Sequence, residues 1–235
     1  MTETATGIVL RTRLLTETSL IVHWLTPELG RLATVAKGAR RPQSPFASKL
    51  DLFYRADFSF SRSRSSDLHT LREVNLKETF PSLREDMGRL QQAGYATHLI
   101  ELATETDTPI PSVYELLLGF AKFICAGPPA PQTIFALELK LLQDLGLEPD
   151  WETTQISPGA KQITQKLLTS DWDSLSRIKL SSAQAAELRR FLQEFILFHL
   201  GHLPRGRSGA LGEMNHGSNG VKVHAEMRRR GEEEK

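Results

Sequence analysis

One cysteine in 235 residues, Cys125, leaves no partner for an intrachain disulfide and rules out a cysteine-rich zinc site. Long apolar runs are missing too. No stretch reaches the roughly 18–20 apolar residues that a bilayer-spanning helix needs. Met1 to Leu10 has no positive region followed by a long apolar segment, so a cytoplasmic protein without membrane contact is the expectation. The common catalytic signatures are absent as well. There is no phosphate-cradling Gly-rich loop ending in Lys-Ser/Thr, no Gly-x-Ser-x-Gly elbow and no His-Glu-x-x-His. His199 and His202 are three apart, but no third ligand stands at suitable spacing, so neither a metal nor any other cofactor is expected. Carboxylate pairs such as Glu101/Glu105 and Asp171/Asp173 read as solvated helix faces and caps. These absences point to a protein that binds and does not catalyse.

What is present is an ordinary globular composition with an uneven charge distribution. Hydrophobic residues make up 40% and charged residues 24%, which is enough apolar material for a core. The net charge of +1 conceals a gradient. Residues 1–80 carry 12 Lys and Arg against 8 Asp and Glu, residues 81–200 carry 10 against 15, and residues 201–235 carry 7 against 5. A basic front on an acidic body suggests that the front meets a polyanion.

The first 80 residues read as five short strands. Gly7–Arg13, Ser19–Leu25, Arg31–Lys37, Tyr54–Ser61 and Leu68–Leu76 are rich in β-formers, with a turn at Pro27-Glu28-Leu29-Gly30. Leu20, Val22 and Trp24 share one face, as do Tyr54, Ala56, Phe58 and Phe60. Five strands in this length suit a small closed barrel of the OB type. From Pro81 the period changes to three and four. Pro81-Ser82 opens a first helix carrying Leu83, Met87, Leu90, Gly94, Leu99 and Leu102. Further helical stripes run over Val113–Ile124, Ile134–Leu145, Pro158–Leu168 and Ser181–His199, the last with Ser181 as N-cap. The fold class is therefore α+β: an OB-fold barrel over 1–80, an all-α domain over 81–208, and a charged, Gly-rich C-terminal tail over 209–235 that reads as disordered.

The densest constellation is the loop Lys37-Gly38-Ala39-Arg40-Arg41, three cations in five residues. Guanidinium forks and backbone N–H groups in such a loop can grip phosphates. Arg11, Arg13, Arg31, Arg55, Arg62 and Arg64 lie on neighbouring strands and turns, with Lys49 and Arg72. From residue 31 to 72 there are 9 basic residues against 3 acidic. Phe58 and Phe60 belong to the barrel core by alternation, whereas Phe46, in the loop, is the candidate for stacking on a base. The competing account is a solvated loop that guards a barrel edge. An adaptor that grips an acidic protein and an RNA-binding OB protein also stay open.

The stretches Gly7-Ile8-Val9-Leu10-Arg11-Thr12-Arg13, Glu17-Thr18-Ser19-Leu20-Ile21-Val22, Leu25-Thr26-Pro27-Glu28-Leu29-Gly30-Arg31 and Val35-Ala36-Lys37-Gly38-Ala39-Arg40-Arg41 together resemble the start of the bacterial RecO family. Leu71-Arg72-Glu73, Thr79-Phe80-Pro81-Ser82-Leu83-Arg84, Ala93-Gly94-Tyr95 and the leucine pattern from Phe135 to Gly146 extend the likeness, which is dense over 7–95 and thinner to about 200. The resemblance implies an N-terminal OB-fold, a helical C-terminal domain and no enzymatic step. It implies binding of single- and double-stranded DNA, annealing of complementary strands, and action with RecR to load RecA onto DNA coated by single-strand-binding protein (SSB). It also implies that the helical domain captures the acidic, apolar C-terminal tail of SSB. Cations beside apolar helix faces are the candidates for that contact: Lys122, Lys140, Arg189 and Arg190. Many members of the family carry a four-cysteine zinc module after the third helix; here Leu147 to Ala160 holds no cysteine, so that module is absent.

Overall fold

A computed structural model describes residues 2–212. Five strands come first: β1 (Thr2–Leu14), β2 (Leu20–Thr26), β3 (Gly30–Ala36), β4 (Arg55–Ser61) and β5 (Leu68–Glu78). They close into a barrel in the order β1-β2-β3-β5-β4, with β4 pairing back onto β1. Every neighbouring pair is antiparallel except β3 and β5. This is the five-stranded barrel expected from the alternation pattern. β1 is longer than its sequence pattern indicated. Its first half, Thr2–Ile8, pairs with Ser61–Arg55 of β4, a partner some fifty residues away that local pattern does not reveal. A bulge between Val9 and Arg11 lets the two halves of β1 serve different neighbours.

The barrel interior is filled by alternate residues. Val22, Trp24, Leu32, Ala56, Phe58, Phe60, Leu71 and Val74 are buried together. Trp24 stacks on Phe58 with ring centroids 4.1 Å apart, and its indole N–H donates to Thr34 Oγ1 at 2.9 Å. That bond satisfies a polar group that would otherwise be costly to bury. Phe46 is also part of this core, 6% exposed, with Ala39 beside it. The loop assigned to base stacking through Phe46 therefore turns that ring inward to close the barrel. The stacking role is corrected on that ground.

Among the described residues seven helices follow: α1 (Met87–Ala103), α2 (Pro111–Ala126), α3 (Pro131–Asp144), α4 (Pro158–Thr169), α5 (Trp172–Leu175), α6 (Ser182–Leu200) and α7 (Arg207–Ala210). Pro81–Arg84 is a separate 3-10 turn and does not open α1. α1 starts after Asp86, whose carboxylate accepts from the Arg89 N–H at 2.9 Å. Met87, placed on the apolar stripe by spacing, is 69% exposed because it lies in that first turn. α3 is the central helix. Residues on all its sides are buried, among them Ile134, Phe135, Leu137, Leu141 and the carboxylate-bearing Glu138, because α1, α2, α4 and α6 all pack on it. Ser181 caps α6 in a full capping box with Gln184.

Residues 209–212, read as tail from composition, are ordered: Ala210 closes α7, and Leu211 is 4% exposed. Arg207 holds this end in place. Its guanidinium donates to both carboxylate oxygens of the fully buried Glu138, at 2.7 and 2.9 Å, and Tyr95 donates to the same carboxylate. The rest of the tail assignment, 213–235, lies outside the described residues.

Barrel and helices share one core. Ile8, Leu10 and Leu25 on the outer face of the barrel, and Phe53 from the loop before β4, are buried in the same cluster as Leu99, Tyr114, Leu117 and Phe120. The helices therefore cover one side of the barrel and leave the other to solvent.

Candidate nucleic-acid interface

The end of the barrel where β1, β2 and β3 finish is built by two connected loops. Leu14 pairs with Leu20, and Leu20 with Ala36, so these three residues form the last rank of the sheet. Beyond it the chain turns at Lys37 to Arg41, with Gly38 at φ 67°, a conformation that costs glycine little. The turn is fastened to the tip of the β1–β2 hairpin. Gly38 N–H donates to Ser19 Oγ at 3.3 Å, Arg40 N–H to Thr18 O at 3.0 Å, and the Arg40 guanidinium to Glu17 O at 3.0 Å. Ala39 points into the core while Lys37, Arg40 and Arg41 stay exposed. Arg13, two strands away and exposed, adds a fourth cation. Arg72 stands two residues past Thr70, the partner of Val35, as Lys37 stands two past Val35. Among the described residues, none of these five cations forms an ion pair, so their charge is available to an external anion.

Other cations that the sequence grouped with them are engaged within the chain. Arg11 pairs with Glu101 of α1 at 2.7 Å. Arg31 donates to Thr104 Oγ1 at 2.9 Å and to the Thr104 carbonyl. Arg55 donates to Tyr114 Oη at 3.0 Å and lies 3.7 Å from Glu78. Arg62 binds Glu3 through two nitrogens, at 3.0 and 3.2 Å, and Asp107 at 3.3 Å; its hydrogen bonds hold the Glu3 carboxyl below the usual range. These four tie the barrel to α1, α2 and the loop between them, or close the barrel on itself. Arg64 is exposed, but it sits on the β4–β5 turn near the start of β3 and apart from the Lys37 turn. The sequence set thus splits into Arg13, Lys37, Arg40 and Arg41 at one end, Arg64 alone, and four arginines with intramolecular partners.

OB barrels commonly bind oligonucleotides across strands 2 and 3, between the β1–β2 and β4–β5 loops. Here part of that face is covered by the chain itself. The α1–α2 loop forms an isolated bridge between Thr106 and Arg31, and Asp107 N–H donates to Arg31 O at 2.9 Å. Gly30, at φ 67°, lies so close to this loop that a Cβ would stand 2.1 Å from the Thr108 carbonyl oxygen. A cavity of about 240 Å³ remains between the loop and the strands, lined by Arg11, His23, Trp24, Arg31 and Asp67 among others. Burial and the surrounding Arg11, Arg13 and Arg31 push His23 down to about 4, although Glu101 lies 3.7 Å away. His23 is therefore neutral at pH 7 and adds nothing to the positive face.

The four cations read as partner contacts lie on three helices, α2, α3 and α6. Lys140 donates to the Leu168 and Ser170 carbonyls at 2.7 and 2.8 Å, which ties α3 to the end of α4; burial lowers its pKa. Its ammonium is a helix-end contact. Lys122 faces an open cavity of about 460 Å³ beside Phe123 and Trp172, with Asp171 and Asp173 on the same rim. Arg189 is half-buried, and Arg190 is exposed on α6. Arg190 is next in sequence to Phe191, the start of an aromatic row on that helix. Phe191 and Phe195 are 5.7 Å apart, Phe195 and His199 4.3 Å, and Phe198 is 83% exposed.

Two exposed leucines at the basic end, Leu14 at 66% and Leu15 at 45%, were not singled out from sequence. A Leu-Leu pair between Arg13 and Thr16 at a hairpin tip was the available signal. Among the described residues no helix is long and apolar enough to cross a membrane, and no group of three metal-ligating side chains comes together.

Comparison with known proteins gives a consistent result. The profile of the recombination protein O N-terminal domain matches residues 1–80, and that of its C-terminal domain matches 84–154 and 152–208. A DNA repair protein RecO from Anaeromyxobacter sp. (strain K) is 35% identical over 144 residues, 61% of this chain and 57% of that protein. One from Bacillus pumilus is 33% identical over 144 residues, 61% of this chain and 56% of that protein. The chain thus spans little more than half the length of these two relatives. One from Symbiobacterium thermophilum is 31% identical over 228 aligned positions, 81% of this chain and 89% of that protein. A closed five-stranded barrel, a helical domain on one side of it, and profile matches covering residues 1–80 and 84–208 place this chain in the RecO family of recombination proteins.

Proposed function

We propose that the chain is a cytoplasmic, nucleoid-associated DNA-repair mediator without catalytic residues, which binds single- and double-stranded DNA at the Lys37 end of its barrel and anneals complementary strands. The observation that carries this reading is the grouping of Arg13, Lys37, Arg40 and Arg41 on one exposed end with no carboxylate partner among the described residues, while Arg11, Arg31, Arg55 and Arg62 are engaged inside the molecule. Two DNA strands repel each other. A surface that neutralises phosphates on both lowers that repulsion and releases counterions. No covalent step or nucleotide is required.

The finer part of the proposal follows the family. With RecR, the protein loads RecA onto DNA coated by SSB, and its helical domain captures the SSB tail. Such a tail is acidic and apolar, so its dock needs a cation beside an aromatic surface. Arg190 with Phe191 and Phe195 on α6 supplies that chemistry better than Lys140, whose ammonium is already bonded. The deciding experiment is strand annealing on SSB-coated DNA with the full chain and with a Lys37→Ala/Arg40→Ala/Arg41→Ala variant. Annealing by the parent and its loss in the variant are expected. Equal annealing by both would remove the assignment of the turn.

A further inference from the structure

The basic end of the barrel also carries an apolar tip that phosphate binding leaves unused. Along β1 the side chains that share a face with buried Val22 of β2 are Thr12, its partner, which is already exposed, and Leu14, the partner of Leu20. Val22 is fully buried, whereas Leu14, one rank further, has passed the barrel rim and is 66% exposed. Leu15 follows at 45%, where its N–H donates to Ser19 O at 3.0 Å to close the hairpin tip. The bonds from Gly38 and Arg40 to Ser19, Thr18 and Glu17 hold that tip against the basic turn. Two leucines exposed to water are thus fixed between Arg13 on one side and Lys37, Arg40 and Arg41 on the other.

We infer that Leu14 and Leu15 form an apolar wedge that contacts the unpaired bases of a single strand whose phosphates lie on Arg13, Lys37, Arg40 and Arg41. The inference rests on the DNA-binding reading and names the part of the ligand that this site takes. Charge complementarity decides the occupant. A strand brings anionic phosphates and apolar base faces together, and the protein offers exposed cations and exposed leucines on two loops bonded to each other. Apolar side chains inserted among bases are an established way to hold them unstacked. A base held open in this way is presented to a complementary strand. Glu17 is the one carboxylate on the hairpin tip, and its backbone carbonyl, not its side chain, receives the Arg40 guanidinium.

The test measures anisotropy of a labelled thymidine oligonucleotide and of an abasic oligonucleotide of equal length, using the full chain and a Leu14→Ser/Leu15→Ser variant. The parent should prefer the base-bearing strand by about five- to tenfold, the scale expected for covering two half-exposed leucines. The variant should bind both strands alike with an unchanged dependence on salt. In a Leu15→Trp variant, indole fluorescence should be quenched by the thymidine strand and not by the abasic one. A variant that keeps the parent's preference overturns the wedge while DNA binding stands. Equal weakening for both strands also overturns it, since the hairpin would then matter only as a support for the turn. If sedimentation shows that the serine variant loses a self-association present in the parent, the leucines join two copies of the chain and the wedge is wrong. Absence of binding to either strand at low salt overturns both the wedge and the DNA reading.

Discussion

His23 shows how one residue records its surroundings. Packed between β1 and β3, it faces Arg11, Arg13 and Arg31, with the Glu101 carboxylate 3.7 Å away. Burial and the three guanidinium groups lower its pKa from 6.5 to about 4. The unfolded chain takes up this proton before the folded one does, so acid favours unfolding through this group. Its contribution is intact above about pH 6.5 and drains away as pH falls toward 4. Urea midpoints measured from pH 7 to pH 5 should fall in the parent chain and fall less steeply in His23→Gln. Equal slopes would mean that the imidazole is not held neutral by this cluster. The sequence placed His23 on a strand beside Trp24, but the arginines and the glutamate around it come from three separate elements, so its state was not legible there.

At the scale of elements, the sequence pattern served best where a period ran without interruption. β4 alternates cleanly, and Ala56, Phe58 and Phe60 are all buried as that alternation requires. Ser181 was readable as a cap because its hydroxyl must reach the N–H three residues on, and it accepts from Gln184 N–H at 3.2 Å. Ser181→Ala should cost roughly 1 kcal/mol in denaturant unfolding, and Ser181→Asp should restore most of it. A loss within error would show that tertiary packing alone fixes the start of α6. The pattern failed where an element depends on distant partners. The first half of β1 is a strand because β4 pairs with it, and α7 is ordered because Arg207 reaches Glu138. Neither cause leaves a local signature. The basic loop was legible as a loop, yet Phe46 within it was misread, since only the closed barrel shows that its interior needs a ring at that end.

For the molecule as a whole, the candidate interface was half legible. Charge counting located the basic region but could not separate cations that face outward from those that bind the helical domain. That division follows from docking the helices on one side of the barrel, which brings Glu101, Thr104 and Tyr114 to Arg11, Arg31 and Arg55. The helical domain has its own internal clamp in Tyr95, Glu138 and Arg207. Glu138→Gln leaves the buried guanidinium without its counter-charge and should destabilise the chain by about 3–5 kcal/mol in urea unfolding. Glu138→Leu combined with Arg207→Met should cost clearly less than Glu138→Gln alone; a larger cost would contradict the buried-charge explanation. Neither change lies near the Lys37 turn, so the affinity of the folded fraction for DNA should not move.

Contact between the Lys37 turn and phosphates is central to DNA binding by this chain. The direct measurement is binding of a single-stranded oligonucleotide at several salt concentrations, by the full chain and by the Lys37→Ala/Arg40→Ala/Arg41→Ala variant. Each phosphate contact contributes roughly 0.7 to the log–log slope on single strands, so the variant's slope should be shallower by about 2. A slope equal to that of the parent chain would contradict the account.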